Sequence, residues 1–118
     1  MLTQMIKSKI NRATVTDGNL NYQGSITICR KLMEAAELMP FEYVHVNSIN
    51  NAAHWETYVI PGNTGEIILN GAPARLFYPG DKVVIFKFQF LKNKEIKTFQ
   101  HLDVMVDDNN QITKIITK

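Results

Sequence analysis

Turn-forming clusters cut this chain at short intervals into runs rich in β-branched and aromatic residues, a rhythm that fits a small barrel and not a layered α/β fold. Asp17-Gly18-Asn19, Asn50-Asn51, Pro61-Gly62-Asn63, Pro79-Gly80-Asp81 and Asp107-Asp108-Asn109-Asn110 accept left-handed backbone or preset φ, and so read as turns. Between them the chain predicts strands over Gln4–Val15, Ser25–Ile28, Tyr43–Ser48, Trp55–Ile60, Glu66–Leu69, Lys82–Leu91, Leu102–Val106 and Gln111–Ile116. Val83-Val84-Ile85-Phe86 is continuously apolar, as in a strand buried on both faces, whereas Lys87-Phe88-Gln89-Phe90 alternates and predicts one wet face. A single helix is expected over Arg30–Met39, with Leu32, Ala35, Ala36 and Met39 on one face and Pro40 as its stop.

The 118 residues suffice for one domain and leave no room for a second. Charged residues make up 20% and hydrophobic ones 45%, which excludes a disordered or fibrous chain. The net charge of +2 comes with scattered lysines, and Lys92-Asn93-Lys94 reads as a solvated turn, so no basic stripe marks a nucleic-acid partner. Cys29 is the only cysteine, which forbids an internal disulfide, fits a reducing cytoplasm and suits a small core residue better than a nucleophile. No run is long and apolar enough for a membrane span, and the start carries no signal segment. His45, His54 and His101 are dispersed along the chain and no glycine loop cradles phosphate, so neither a metal nor a nucleotide is expected.

Gly24-Ser25 allows two readings. One is an ordinary turn that enters a strand. The other is a self-cleavage site, since a serine hydroxyl can attack the preceding carbonyl and glycine leaves that approach open. The amide becomes an ester, elimination across the serine Cα releases the first segment, and the dehydroalanine left behind hydrolyses to ammonia and an N-terminal pyruvoyl ketone.

The surrounding segments favour the second reading. Met5 to Thr16, Leu20-Asn21-Tyr22-Gln23-Gly24-Ser25-Ile26-Thr27-Ile28, Thr57-Tyr58-Val59-Ile60 and Asn70-Gly71-Ala72-Pro73-Ala74-Arg75-Leu76 together resemble the pyruvoyl-dependent aspartate alpha-decarboxylase family. The likeness runs from Met5 to Ile85 in order and spacing, and the last third shares only general character. It implies a mainly β fold, a double-psi β-barrel with one or two short helices. It also implies one domain, 1–118, self-cleaved into 1–24 and 25–118. The activity implied is decarboxylation of L-aspartate to β-alanine and CO2 for pantothenate and coenzyme A synthesis, in a homotetramer with sites between subunits. Spontaneous cleavage and cleavage helped by a maturation factor both stay open.

Residue by residue, the resemblance makes Ser25 the pyruvoyl precursor that forms a Schiff base with substrate, and Tyr58 the proton donor. A phenol keeps its proton at neutral pH, which suits a donor. Gly24, Ser25 and Thr57 serve cleavage, while Lys9, His54, Thr57, Asn70, Gly71, Ala72 and Pro73 bind substrate. Thr57 and Tyr58 point to opposite faces of a regular strand, so both reach one site only through a bend or a subunit boundary. Lys9 and Arg12, three apart, likewise fall on opposite faces of a regular strand, and only Lys9 is expected in the site. Taken singly, these residues also have structural readings as packing, surface or turn residues.

Two positions depart from the family pattern. His54 stands where the family has arginine, and an imidazole offers a carboxylate one aligned N–H instead of a two-pronged clamp. Pro73 replaces the second alanine of the family's Asn-Gly-Ala-Ala motif and removes one backbone N–H, for which Arg75 is a candidate compensator. These changes suggest a rival, a cleaved homologue acting on another small amino acid. The rival of another class is an uncleaved barrel that works as an interaction protein.

Overall fold

The computed structural model describes residues 1–118. Its strands are β1 (Leu2–Thr14), β2 (Asp17–Asn19), β3 (Ser25–Cys29), β4 (Tyr43–Ser48), β5 (His54–Gly62), β6 (Ile67–Asn70), β7 (Lys82–Lys92), β8 (Leu102–Val106) and β9 (Ile112–Thr117). Helix α1 is Arg30–Ala36, α2 is Asn93–Ile96, and Ala72–Arg75 forms one 3₁₀ turn. The strands join in the order β2-β6-β3-β5-β4-β7-β1-β8-β9. β1 and β2 are one continuous stretch of chain, so this order closes on itself. Val15 N–H donates to Asp81 O at 2.9 Å and Thr16 N–H to Ile67 O at 2.8 Å, and those bonds carry the chain from its β7 partner to its β6 partner. The expected mainly β barrel with short helices is what the chain forms. β8 and β9 continue the sheet outside the ring.

The barrel interior follows from strand alternation. Ile10, Ile26, Val44, Val46, Val59, Leu69, Val83 and Ile85 point inward and are fully or almost fully buried. β1 meets this demand only with a bulge, because Asn11 and Arg12 both stand opposite Val84 between the Ile10–Ile85 and Ala13–Val83 pairs. Arg12 takes φ +60° and swings to solvent, and Ala13 returns to the core. Lys9 and Arg12 therefore do not fall on opposite faces as in a regular strand.

Other expectations also change. Asp17-Gly18-Asn19 is not a turn but a short strand parallel to Ile68–Asn70. The helix ends at Glu37, whose φ of +60° lets its N–H and that of Leu38 cap the carbonyls of Glu34 and Met33. Pro40 is thus not the stop, and Met39 is exposed. Lys92-Asn93-Lys94 opens α2, with Glu95 bonding back to the Lys92 N–H. Val83–Phe86 is not buried on both sides: Val84 and Phe86 face outward, half-buried, because a barrel has only one dry face. Cys29 is buried as expected.

Asp103 anchors β1 to β8 from the outside. Its carboxylate accepts from His101 Nε2 at 2.7 Å and Lys118 Nζ at 2.8 Å, and Lys9 Nζ lies at 3.6 Å. Burial opposes its charge, but the Lys118 and His101 hydrogen bonds, with Lys9 nearby, hold the carboxyl well below the usual range. A depressed carboxyl stabilises the fold above its unfolded pKa of about 3.9, and that contribution is lost as pH falls towards the folded value. Asp103→Asn is expected to cost about 1–2 kcal/mol near neutrality, the partly exposed lysines keeping it modest. Urea titrations across pH should show the gap between wild type and variant narrowing below about pH 4; a gap independent of pH would contradict the assignment.

Candidate active site

Ser25 opens β3 and is completely buried. Antiparallel pairing sets it opposite Asn70, the last residue of β6. Asn70 Nδ2 donates to Ser25 Oγ at 3.0 Å and to Thr27 Oγ1 at 3.0 Å. Strand alternation puts both hydroxyls on one face, so a single amide grips them together. Ser25 Oγ in turn faces the Gln23 carbonyl at 3.4 Å, a long contact that leaves the hydroxyl weakly committed.

Gly71 backs this arrangement. Its φ of +80° and ψ of −144° lie in a region only glycine enters readily. Its N–H donates to Asn19 O at 2.7 Å. A Cβ there would come within 2.9 Å of Tyr22 O and 3.0 Å of the Gly24 Cα and N. The segment before Ser25 is thus pressed onto a glycine. Gly24 itself has open space where a Cβ would stand and no positive φ, so that residue is not held in a glycine-only conformation. Pro73 lies in the first turn of the 3₁₀ segment, and its carbonyl accepts from Leu76 and Phe77. Its missing N–H therefore breaks no bond of the fold. Ala72 and Arg75 are exposed on the same turn.

β5 runs parallel to β3, with Ile26 beside Val59. Carried back along the strands, that register runs Ser25 towards Tyr58 and Gly24 towards Thr57. Thr57 is buried beside Val44 on the inner side, and Tyr58 faces outward beside Tyr43, so the two do point to opposite faces. The Tyr58 ring stacks on Phe41 with centroids 5.7 Å apart. Phe41, exposed and at φ +68°, is a bulky residue in a conformation it seldom adopts. Sequence reading missed Phe41 and Thr27; for Thr27 the two-residue spacing from Ser25 was an available signal.

Lys9 and His54 lie elsewhere on the outer face. Lys9 is level with Phe86, and Phe86 with His45, and His45 with Glu56. From β1 to β3 by way of β7, β4 and β5 is about 19 Å along the curved sheet at ~4.8 Å per strand. One chain does not bring Lys9 to Ser25. His54 Nδ1 meets Asn47 Oδ1 at 2.5 Å and Nε2 meets Glu56 Oε2 at 3.1 Å. Tyr43 also donates to Glu56, which raises the phenol's pKa. That bond, followed by the one to His54, lowers the Glu56 carboxyl. The clefts of the chain are lined by other residues, Cys29, Lys31, Thr64 and Asn110 among them, and the buried Ser25 opens into none of them.

Comparison with known proteins is consistent over the full length. The sequence model of the aspartate decarboxylase family matches residues 1–113. The chain is 53% identical to aspartate 1-decarboxylase of Caldicellulosiruptor saccharolyticus, over 100% of this chain and 94% of that protein. The protein of that name from Pelotomaculum thermopropionicum is 51% identical over 98% of this chain and 89% of its own length. For that of Carboxydothermus hydrogenoformans the figures are 51%, 100% and 94%.

The geometry separates the two glycines. Gly71→Ala is expected to cost about 1–3 kcal/mol from its backbone region alone, before any clash with Tyr22 and Gly24, whereas Gly24→Ala should cost under about 1 kcal/mol. Thermal or urea unfolding of both variants, each combined with Ser25→Ala to keep the chain whole, measures the difference; equal losses would contradict it.

Proposed function

The chain belongs to the aspartate decarboxylase family, and from that premise we propose that it cuts itself between Gly24 and Ser25 and then decarboxylates L-aspartate to β-alanine for pantothenate synthesis. The observation that carries the cleavage is the buried Ser25 hydroxyl, held by Asn70 at 3.0 Å and adjoining a glycine pressed against Gly71. Held in this way, Ser25 Oγ adds to the Gly24 carbonyl carbon to give a tetrahedral centre, whose collapse breaks the Gly24–Ser25 C–N bond, leaves the ester and passes the hydroxyl proton to the serine nitrogen. Loss of the Cα proton then expels residues 1–24 as a carboxylate. Thr57, which the Ile26–Val59 register carried back two residues sets level with Gly24, would serve the tetrahedral oxygen from the inner face, while Tyr58 lies on the outer face with the Ser25 side chain.

Hydrolysis of the remaining dehydroalanine releases ammonia and leaves a pyruvoyl group at position 25. The position fits that group, since it is buried, the Asn70 amide stands beside it as a free donor once the serine oxygen has left with residues 1–24, and Gly71 admits close main-chain approach. The ketone supplies an electrophile for the substrate amine and a sink for the electron pair left by CO2. Tyr58, on the strand beside Ser25, returns a proton to the substrate carbon. Asn70, Gly71 and Ala72 position the substrate, with Pro73 shaping their turn. Lys9 and His54 receive its carboxylates.

Because Lys9 stands around the barrel from Ser25, the proposal includes a second subunit that completes each site. Phe41, Tyr43 and Phe90 are exposed on the outside of the barrel, and Phe86 and Phe88 are half-covered, which supports association there and a homotetramer as the assembly. No helix is long and apolar enough to cross a membrane. A lone reduced cysteine supports a cytoplasmic setting.

Intact-mass measurement of aged protein, alone and with cell extract, should show residues 1–24 and a pyruvoyl-capped 25–118, with Ser25→Ala remaining one chain. A single uncleaved mass under both conditions would favour the interaction-protein rival. Tyr58→Phe should cleave normally yet turn aspartate over about 10²–10⁴-fold more slowly. Normal β-alanine output from that fully cleaved variant would remove Tyr58 from the role, and faster turnover of another small amino acid by wild type would reassign the substrate.

A further inference from the structure

His45 and His54, distant enough in sequence to hide any ligand spacing, are brought together on adjacent strands with Glu56 between them. Their ligand atoms all lie within 4.8 Å of one another. His54 Nε2 is 3.1 Å from one Glu56 oxygen and His45 Nε2 is 3.7 Å from the other. Donors around a tetrahedral zinc ion, with bonds of about 2.0–2.2 Å, are about 3.3–3.5 Å apart. The two measured separations bracket that value. All three side chains are partly exposed, so small rotations suffice to close the remaining gap between the histidines.

The support around them points the same way. Asn47 Oδ1 receives the His54 Nδ1–H, which leaves Nε2 as the nitrogen turned towards Glu56, where a metal ion would displace the proton that Nε2 shares with the carboxylate. Phe88 packs against the His45 ring at 4.5 Å and limits its rotation. The Tyr43 hydroxyl, which contacts both Glu56 and His45, is the one neutral competitor for these donors.

We infer that His45, His54 and Glu56 form a three-ligand site for a divalent transition ion of the zinc class, with a fourth position open to water or an exchangeable carboxylate. Two imidazoles and one carboxylate with an open position form the donor set of many reactive zinc sites, and they favour Zn2+, Co2+ and Ni2+ over Mg2+ or Ca2+. With Nδ1 on Asn47 and Nε2 on the ion, His54 would meet a substrate carboxylate only through the open position of the ion; the test reads ion binding alone, so its failure is distinguishable from failure of the proposed function.

The test is titration of the full-length chain, free of any histidine tag, with Co2+. The expected result is one Co2+ per chain, the intense visible bands of four-coordinate cobalt, and displacement by Zn2+. His45→Ala and Glu56→Gln should each weaken binding by at least about 10–100-fold, and Asn47→Ala, which frees the ring orientation, by about 10-fold. Thermal melts equal to wild type would show that the variants are folded. Absence of the bands, or an affinity that none of these substitutions changes, overturns the inference. So does a loss with His101→Ala as large as that with His45→Ala, since it would move the ion to the His101–Asp103 pair.

Discussion

Everything in this molecule depends on the passage from β1 to β2, where one stretch of chain leaves β7 and takes up β6. Two backbone bonds from Val15 and Thr16 make the transfer, and the Thr16 hydroxyl adds a third by accepting from the Ile67 N–H at 3.0 Å. Gly80 N–H donates to Val15 O at 2.8 Å and holds the neighbouring turn against the seam. Without that seam β6 would have no partner beyond β3, and a sheet edge would lie open beside Asn70. The position of the Asn70 amide over Ser25 is therefore a consequence of closure as much as of local pairing.

The bulge at Asn11 and Arg12 belongs to the same constraint. A strand that must curve from one partner to another gains twist where an extra residue is inserted. The insertion keeps Lys9 and Asn11 on the outer side near Asp103 and restores Ala13 to the core. The outer face of β5, β4 and β7 is then left with aromatic, histidine and carboxylate side chains that the single chain covers only in part.

Much of the fold was legible because alternation and turn chemistry are local signals. Tyr43–Ser48 and Leu102–Val106 have the expected bounds, and the other long strands differ by a residue or two at their ends. Misreadings arose where distant partners override local preference. Asp17-Gly18-Asn19 has turn composition but is held extended by β6, and Glu37 ends α1 through a left-handed conformation that no side chain advertises. Motif order nominated Ser25, Tyr58 and Asn70, and the fold pairs Asn70 with Ser25 and places Tyr58 on the strand next to β3. Geometry that depends on register stayed hidden: the shared amide on Ser25 and Thr27, the Phe41 ring on Tyr58, and the meeting of His45 with His54.

The seam also determines what a break in the chain would do. β1 lies between β7 and β8, paired antiparallel to one and parallel to the other, and β2 lies along β6. Residues on both sides of position 24 are thus sewn into the ring by strands that come from the remainder of the sequence. Severing the peptide there would produce a two-piece protein by fragment complementation, the smaller piece retained as an internal stave. Folding of such a pair from separated pieces would be second order in concentration, whereas the whole chain closes the barrel in a unimolecular step. Topology would therefore favour closing the ring before any cut at position 24 over assembling it from two severed pieces.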